Sequence, residues 1–354
     1  MTAFVRAASL SNYAEVASQV GLDANAMLRR AGIDRRALTD LDLRLPAARV
    51  AELLERSAAE SGCETFGLRM AESRRISDFG AISLLITHQA TLRDALMTVV
   101  SHRQLLNESL LVQVEEHDGL VIIREELLVG GEAAVRPSPI DQSPIRQAPI
   151  PQSPIRQSYE LAIGVLFRMF RTLLGARWRA ESINFTHRPP ADLTVHRRMF
   201  GPIVQFGSDF NGLTCASSDL DAPNPTADPA LAEFAARYVQ SLPGAEHRSL
   251  SDETQKAIYL LLPTGQASIG RVAASLGLND RTLQRRLLAE GGDFSRLLND
   301  VRRELAVRYV AGGDFPLARI AGLVGYSRQT SFNRWFAAEF GASPTRWRGA
   351  AAGG

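Results

Sequence analysis

The chain has 354 residues, 45% of them hydrophobic and 22% charged, with a formal net charge of +2. That length exceeds what one core supports, so two domains are expected, and the composition excludes a disordered or collagen-like chain. No apolar run approaches the ~18 residues of a membrane span, and two cysteines, Cys63 and Cys215, are too few for a disulfide framework or a four-thiol zinc site. Arg6, Asn12 and Glu15 interrupt the N-terminal apolar stretch. A signal-peptide core is therefore not expected, and a cytoplasmic location is.

Helices are expected over 11–20, 24–31, 47–60 and 92–105. Pro46 is placed for the first turn of the third, where Val50, Leu53 and Leu54 form an apolar stripe. Residues 110–116 then alternate, Asp118-Gly119 is a tight-turn pair, and 120–127 reads as a strand, which together predict a hairpin. The pairs Glu115-Glu116 and Glu125-Glu126 read as solvated positions on its strands. Residues 138–157 repeat SPIDQ, SPIRQ, APIPQ, SPIRQ. Proline every fifth residue breaks both helix and ladder, so an extended, mobile insertion is expected, with a ligand for a proline-reading module as the lesser alternative.

Regular structure is expected again from about Ser158, as a helix ending at Gly175, followed by short strands at 181–186, 202–207 and 212–217. The segment DAPNPTADP, 221–229, reads as an interdomain linker, and a helix over 230–242 closes against Pro243-Gly244. The expected fold class is α+β. A mixed sensor and dimerisation domain fills 1–220, and an all-α region with two helix-turn-helix units fills 230–350, with its core at 265–348.

Charge is distributed unevenly. From residue 265 onward there are 13 Arg, no Lys and 7 acidic residues, a net of +6, against −4 for the remainder. A basic tail domain on a mildly acidic body suits a polyanion-binding module. In the same region one pattern occurs twice: VAASLGLNDRTLQRRL from Val272 to Leu287, and IAGLVGYSRQTSFNRWF from Ile320 to Phe336. Ala273 stands four residues before Gly277, and Ala321 four before Gly325. A small residue at a helix contact followed by a turn glycine gives that spacing.

In the first copy Ile269, Val272, Ala273 and Leu276 form a buried stripe, and Asn279 is placed to cap the next helix. Leu283 and Leu287 share one face of that helix, leaving Arg281, Gln284 and Arg285 on the other. In the second copy Pro316 begins a helix with Ile320 and Val324 inward, and Ser327 is placed as the next cap. Phe332, Trp335 and Phe336 then face inward, with Gln329, Thr330, Asn333 and Arg334 outward. The first apolar anchor follows the turn glycine by six residues in one copy and seven in the other, so the exposed trio 281/284/285 maps onto 330/333/334 at an offset of 49. A long helix from Phe294 to Val310, packing through Leu297, Leu298, Val301, Leu305 and Tyr309, spans roughly 25 Å at ~1.5 Å per residue. That separates two heads by about one DNA turn. Arg grips guanine and Gln pairs with adenine in the major groove. A helical bundle with a merely solvated polar face is the alternative, and two matched copies in the basic region weigh against it.

Residues 265–348 closely resemble the DNA-binding domain of AraC/XylS-type bacterial transcription regulators. The resemblance rests on RTLQRRLLAEG at 281–291, FSRLLNDVRRELA at 294–306, and IAGLVGYSRQTSFNRWFAAEFGASPTRWR at 320–348. It implies a seven-helix module with two reading helices. By residue match the base readers are Arg281, Gln284, Arg285, Gln329, Thr330 and Arg334, while Asn333 meets base or phosphate. Residues 15–220 are similar to the arabinose-binding-type sensor domain, through FGLRM at 66–70, the helix near 159–175 and FTHRPPADLTVHRRMFGPIVQFGSDFNGL at 185–213. The insertion at 138–157 departs from that pattern, and the domain's name does not make arabinose the ligand. The resemblance implies promoter DNA, a small-molecule effector, RNA polymerase and a second copy of the chain as partners.

Other chemistry finds little support. His187 and His196, and His88 and His102, lack carboxylate or thiol companions at metal-ligand spacing, and neither a phosphate loop nor G-x-S-x-G is present. No catalytic residue, metal or cofactor is therefore expected, and no residue stands out as an effector ligand. Two rivals remain. One is an architectural DNA binder without effector control; the other, more remote, is a DNA-repair alkyltransferase using Cys63 or Cys215.

Overall fold

The computed structural model describes residues 3–129, 155–242, 249–276, 278–312 and 315–352. The chain divides into two compact units, Met1–Glu246 and His247–Gly354.

The first unit opens with β1 (Phe4–Arg6), α1 (Tyr13–Gln19), α2 (Ala24–Arg30), β2 (Arg44–Pro46), α3 (Ala47–Ser61) and α4 (Phe66–Glu72). Then come α5 (Ile82–His88), α6 (Leu92–Ser101), α7 (Arg103–Leu106), β3 (Leu110–His117) and β4 (Leu120–Leu127). It continues with α8 (Arg156–Leu174), β5 (Ser182–Phe185), α9 (Thr194–Phe200), β6 (Val204–Phe206), β7 (Gly212–Ala216), α10 (Ser217–Leu220) and α11 (Pro229–Gln240). One sheet has the order β3-β4-β7-β5-β6, and β1 pairs with β2 in a second. Within the larger sheet β5 and β6 run parallel, while the other pairings are antiparallel. The hairpin forms as expected: His117 pairs with Leu120, and Asp118 and Gly119 both have positive φ, at 50° and 81°. Positive φ at both central residues is what a two-residue type I′ turn requires.

Helix α8 packs against α3, α4, α6, β4 and β7, and Ile163, Phe167 and Phe170 on it are almost wholly buried. Its approach to α4 needs a glycine, because a Cβ on Gly67 would lie 2.0 Å from the carbonyl oxygen of Gln157. Gln157 corrects one expectation. Residues 138–154 of the pentapeptide repeat lie outside the described residues, but its last two, Arg156 and Gln157, begin α8. The Gln157 side-chain oxygen accepts from Gly67 N–H at 2.8 Å, and its amide donates to the Glu64 carbonyl at 2.9 Å. Beyond the repeat's last proline the chain is free to be helical, and these bonds hold the turn in place.

The expected linker at 221–229 is instead tied to the first unit. Asn224 donates to the carbonyls of Thr87 and Gln89 at 2.7 and 2.9 Å, Arg93 pairs with Asp221 at 2.7 Å, and α11 packs on α5. Proline content signalled a segment with little to bury; polar anchoring does the holding. The boundary between units lies at Glu246/His247 instead, and α11 belongs to the first unit.

Glu125 is a further correction. Inward positions of β4 alternate through Val121, Ile123, Glu125 and Leu127, so Glu125 is 2% exposed rather than solvated. Burial pushes its carboxyl up to about 8, and burial likewise raises Glu55 to about 8 against the opposing Gln157 N–H bond. A folded-state pKa above the unfolded one means stability is complete below the unfolded value and is lost as pH rises through the folded one. His187 acts oppositely: burial lowers it from 6.5 to about 4, so its contribution is lost only as pH falls below 6.5. Each buried glutamic acid should therefore cost the first unit stability as pH rises from 4.5 to about 8, with a slope of roughly 1.2 kcal/mol per pH unit at pH 7 that falls to roughly 0.7 at pH 8. Glu125→Gln should flatten that slope in denaturant titrations. An unchanged slope would mean that Glu125 ionises freely in the folded state.

The second unit is helical: α12 (Leu250–Leu261), α13 (Ile269–Ser275), α14 (Asp280–Ala289), α15 (Phe294–Gly312), α16 (Leu317–Leu323), α17 (Gln329–Phe340) and α18 (Pro344–Ala352). Helix α15 is its axis, packing on α12, α16 and α18, with Val301, Leu305, Ala306 and Val310 at most 1% exposed.

Candidate nucleic-acid interface

Each short helix pair is built on a buried alanine. Val272 and Ala273 on α13 are wholly buried, and the Ala273 carbonyl accepts from Leu278 N–H at 2.8 Å as the chain turns. Gly277 lies outside the described residues. Asn279 then caps α14, its side-chain oxygen accepting from Thr282 N–H at 2.9 Å. Leu283 and Leu287, one turn apart, are at most 1% exposed. The opposite face presents Arg281, Gln284 and Arg285 to solvent.

The second pair repeats this with one added residue. Ala321 is 1% exposed, and its carbonyl accepts from Tyr326 N–H at 2.8 Å. Gly325 takes φ +81° at the turn, a conformation that costs a residue with a Cβ. Up to here the two copies correspond at an offset of 48. Beyond it the caps Asn279 and Arg328, and the anchors Leu283/Phe332 and Leu287/Phe336, correspond at 49. The added residue is Ser327. That is why Ser327, expected as the cap, is displaced by Arg328, which makes no side-chain cap bond.

On α17 Gln329, Thr330 and Arg334 are exposed. Asn333 is half-buried, with its side-chain oxygen enclosed and without a hydrogen-bond partner. On this helix it is less free than the sequence pattern suggested. Tyr326, Phe332, Trp335, Phe336, Phe340 and Trp347 form a continuous ring cluster beneath it, with centroid separations from 4.5 to 6.3 Å.

The arginines of this unit divide into two sets. Arg302 donates to the Val324 carbonyl at 3.0 Å and lies over the Tyr326 ring. Arg348 donates to the carbonyls of Val310 and Phe315, and Arg303 pairs with Glu339 at 2.9 Å. Arg302 and Arg348 are struts that satisfy carbonyls near helix ends, and Arg303 ties α15 to α17 through its ion pair. Arg271, Arg281, Arg285, Arg286, Arg296, Arg328, Arg334 and Arg346 are exposed, which leaves them available to a polyanion. Sequence reasoning missed the struts, since both sets look alike in composition. It also missed Glu290, whose carboxylate accepts the backbone N–H groups of Leu250 and Ser251 at 3.0 Å and so caps α12 from the end of α14.

In the first unit, His187 and His196 do have a carboxylate companion, contrary to expectation. Glu160 Oε1 lies 3.5 Å from His187 Nε2 and 3.2 Å from His196 Nε2, with Arg156 Nε at 3.2 Å. The partner is on α8, outside any local spacing window. Among the described residues no group of three or more His, Cys, Asp or Glu is arranged to hold a metal ion. Cys215 is buried, and desolvation pushes its thiol up to about 12, opposite to an activated nucleophile.

Comparison with known proteins places these units. Residues 21–224 match the model of the arabinose-binding domain of AraC transcription regulators, and residues 272–350 match a helix-turn-helix domain model. The chain belongs to the AraC family of transcription regulators. It is 31% identical over 344 residues to the HTH-type transcriptional regulator VirS of Mycobacterium tuberculosis, covering 97% of this chain and 96% of VirS. It is 22% identical over 335 residues to the ornithine utilization regulator of Pseudomonas aeruginosa, covering 94% and 93%. Among solved structures it is similar to the transcriptional regulator CdpR from Pseudomonas aeruginosa, at 20% identity and a TM-score of 0.39 over 92% of this chain and 96% of that one. This AraC-family chain is a DNA-binding transcription regulator with mixed α+β architecture.

Proposed function

We propose that this regulator reads promoter DNA with two helices, α14 through Arg281, Gln284 and Arg285, and α17 through Gln329, Thr330, Asn333 and Arg334. The first unit senses a small molecule. The regulator acts in the cytoplasm as a homodimeric activator that engages RNA polymerase and performs no catalysis. The observation that carries the reading is the exposed pair Arg281 and Arg285, repeated as Thr330 and Arg334 at an offset of 49 on two helices anchored by equivalent buried pairs. Arg and Gln at those positions have the donor geometry for guanine and adenine edges.

An architectural binder has no use for a cavity-bearing first unit, and the burial that pushes the Cys215 thiol up argues against its use in alkyl transfer. Affinity for a promoter fragment should fall about a thousandfold between 50 and 200 mM salt, as roughly six phosphate contacts require. A salt-insensitive complex would contradict the reading. Sedimentation of the same sample reports whether the species is a dimer.

A further inference from the structure

The first unit holds a half-open cavity of about 160 Å³ lined by residues of β1, α3, α6 and α8. Its wall is mainly apolar, with Val50, Leu54, Val99, Leu127, Leu161 and Val165 contributing. A cavity of this size, lined in this way, holds a body about as large as benzene.

The charge on its wall is one-sided. Four arginines, Arg6, Arg74, Arg75 and Arg103, face one carboxylate, Asp78. Arg6 is already held by Asp42 at 2.6 Å, and Asp78 accepts from the Arg75 backbone N–H at 3.0 Å. Arg74 is the informative one. It is 6% exposed, its terminal nitrogens donate to the carbonyls of Ala8 and Ser9, and its Nε is enclosed without a hydrogen-bond partner. Among the described residues its only carboxylate neighbour is Asp78, at 3.9 Å, the far limit of an ion pair. Burial draws the Arg74 guanidinium down to about 10, which reflects the thin anionic compensation around it. A buried charge is normally paired and fully hydrogen-bonded.

We propose that this cavity binds a small carboxylic acid with an apolar body of about six carbons, its carboxylate meeting Arg74. The regulatory consequence rests on the effector reading given above; the binding itself does not. A sugar suits the site poorly, because most of its hydroxyls would meet apolar wall and lose their hydrogen bonds. An amine would meet four guanidinium groups. A neutral alcohol of the same body fills the space and can accept from an Arg74 N–H, but it leaves the guanidinium charge uncompensated.

The test is calorimetric titration of the full chain with hexanoate, hexan-1-ol and arabinose. Hexanoate should bind at least tenfold more tightly than hexan-1-ol, and arabinose should give no binding. Ala51, 5% exposed on the cavity wall, provides a filling variant: Ala51→Phe should weaken hexanoate at least tenfold. Arg74→Met should abolish the preference for acid over alcohol. If that variant does not fold, the acid–alcohol comparison and Ala51→Phe still decide. Equal binding of acid and alcohol, hexanoate binding untouched by Ala51→Phe, or no hexanoate binding would each overturn the proposal. Promoter affinity measured with and without hexanoate separates the two readings. Binding that leaves promoter affinity unchanged keeps the cavity assignment and removes its effector role. A promoter response to some other small molecule, with no carboxylate bound, overturns the assignment and leaves the effector reading standing.

Discussion

Replacing Arg285 or Arg334 with alanine is expected to cost about 1–3 kcal/mol of affinity at the regulator's own promoter sites, and far less on unrelated duplex. The two residues occupy equivalent positions on α14 and α17. Each is exposed, and neither has a carboxylate partner among the described residues. Neither supports the fold, so truncation should leave stability within about 0.5 kcal/mol. The helices that carry them are held rigidly by Leu283/Leu287 and Phe332/Phe336, all at most 1% exposed, so the guanidinium groups are presented without reordering the backbone. As the two sit on separate heads, the double variant should lose close to the sum of the single losses. Competition binding against specific and random duplexes measures this. Equal losses on both duplexes would reassign the residues to phosphate.

Phe336→Ala is expected to destabilise the second unit by about 3–5 kcal/mol, the range for truncating a buried phenylalanine. Phe336 is wholly buried, with its ring centroid 4.5 Å from Phe340, 5.6 Å from Phe332 and 5.8 Å from Trp347. The void would open at the junction of α17 and α18, so promoter binding should fail together with the unit's thermal transition. The core of the first unit runs from Val5 to Val239 and includes no residue of α17, so its transition should stay in place. A loss below about 1 kcal/mol would show that the aromatic cluster repacks around the gap.

Local signals were legible where they act over a few residues. The i, i+4 anchors of α14 and α17, the Asn279 cap, the Asp118-Gly119 turn and the one-residue lengthening of the second turn all follow from short spacings. The seven-residue helices α4, α5 and α9 were not legible: unlike the equally short α2 and α13, capped by Asp23 and Ser268, they have no side-chain N-cap and are held by tertiary burial. Phe66, Leu68 and Met70 on α4 are wholly buried against elements far along the chain. The same limit hid the strand pair β1–β2, the inward Glu125 and the partnership of Glu160 with two histidines. Ser327 looked like a cap because serine before a helix usually is one; the offset that displaced it was already countable. The cavity could not be read at all, since its wall draws on residues from Val5 to Val165.

Selection of bound duplexes from a random pool, repeated with variants of α14 and of α17, tests the two-headed reading most directly. The account predicts two enriched elements whose centres lie one helical turn, about 10–10.5 base pairs, apart. Gln284→Ala and Arg285→Ala should alter one element, and Thr330→Ala and Arg334→Ala the other. A single element, or one element altered by variants of both helices, would contradict it.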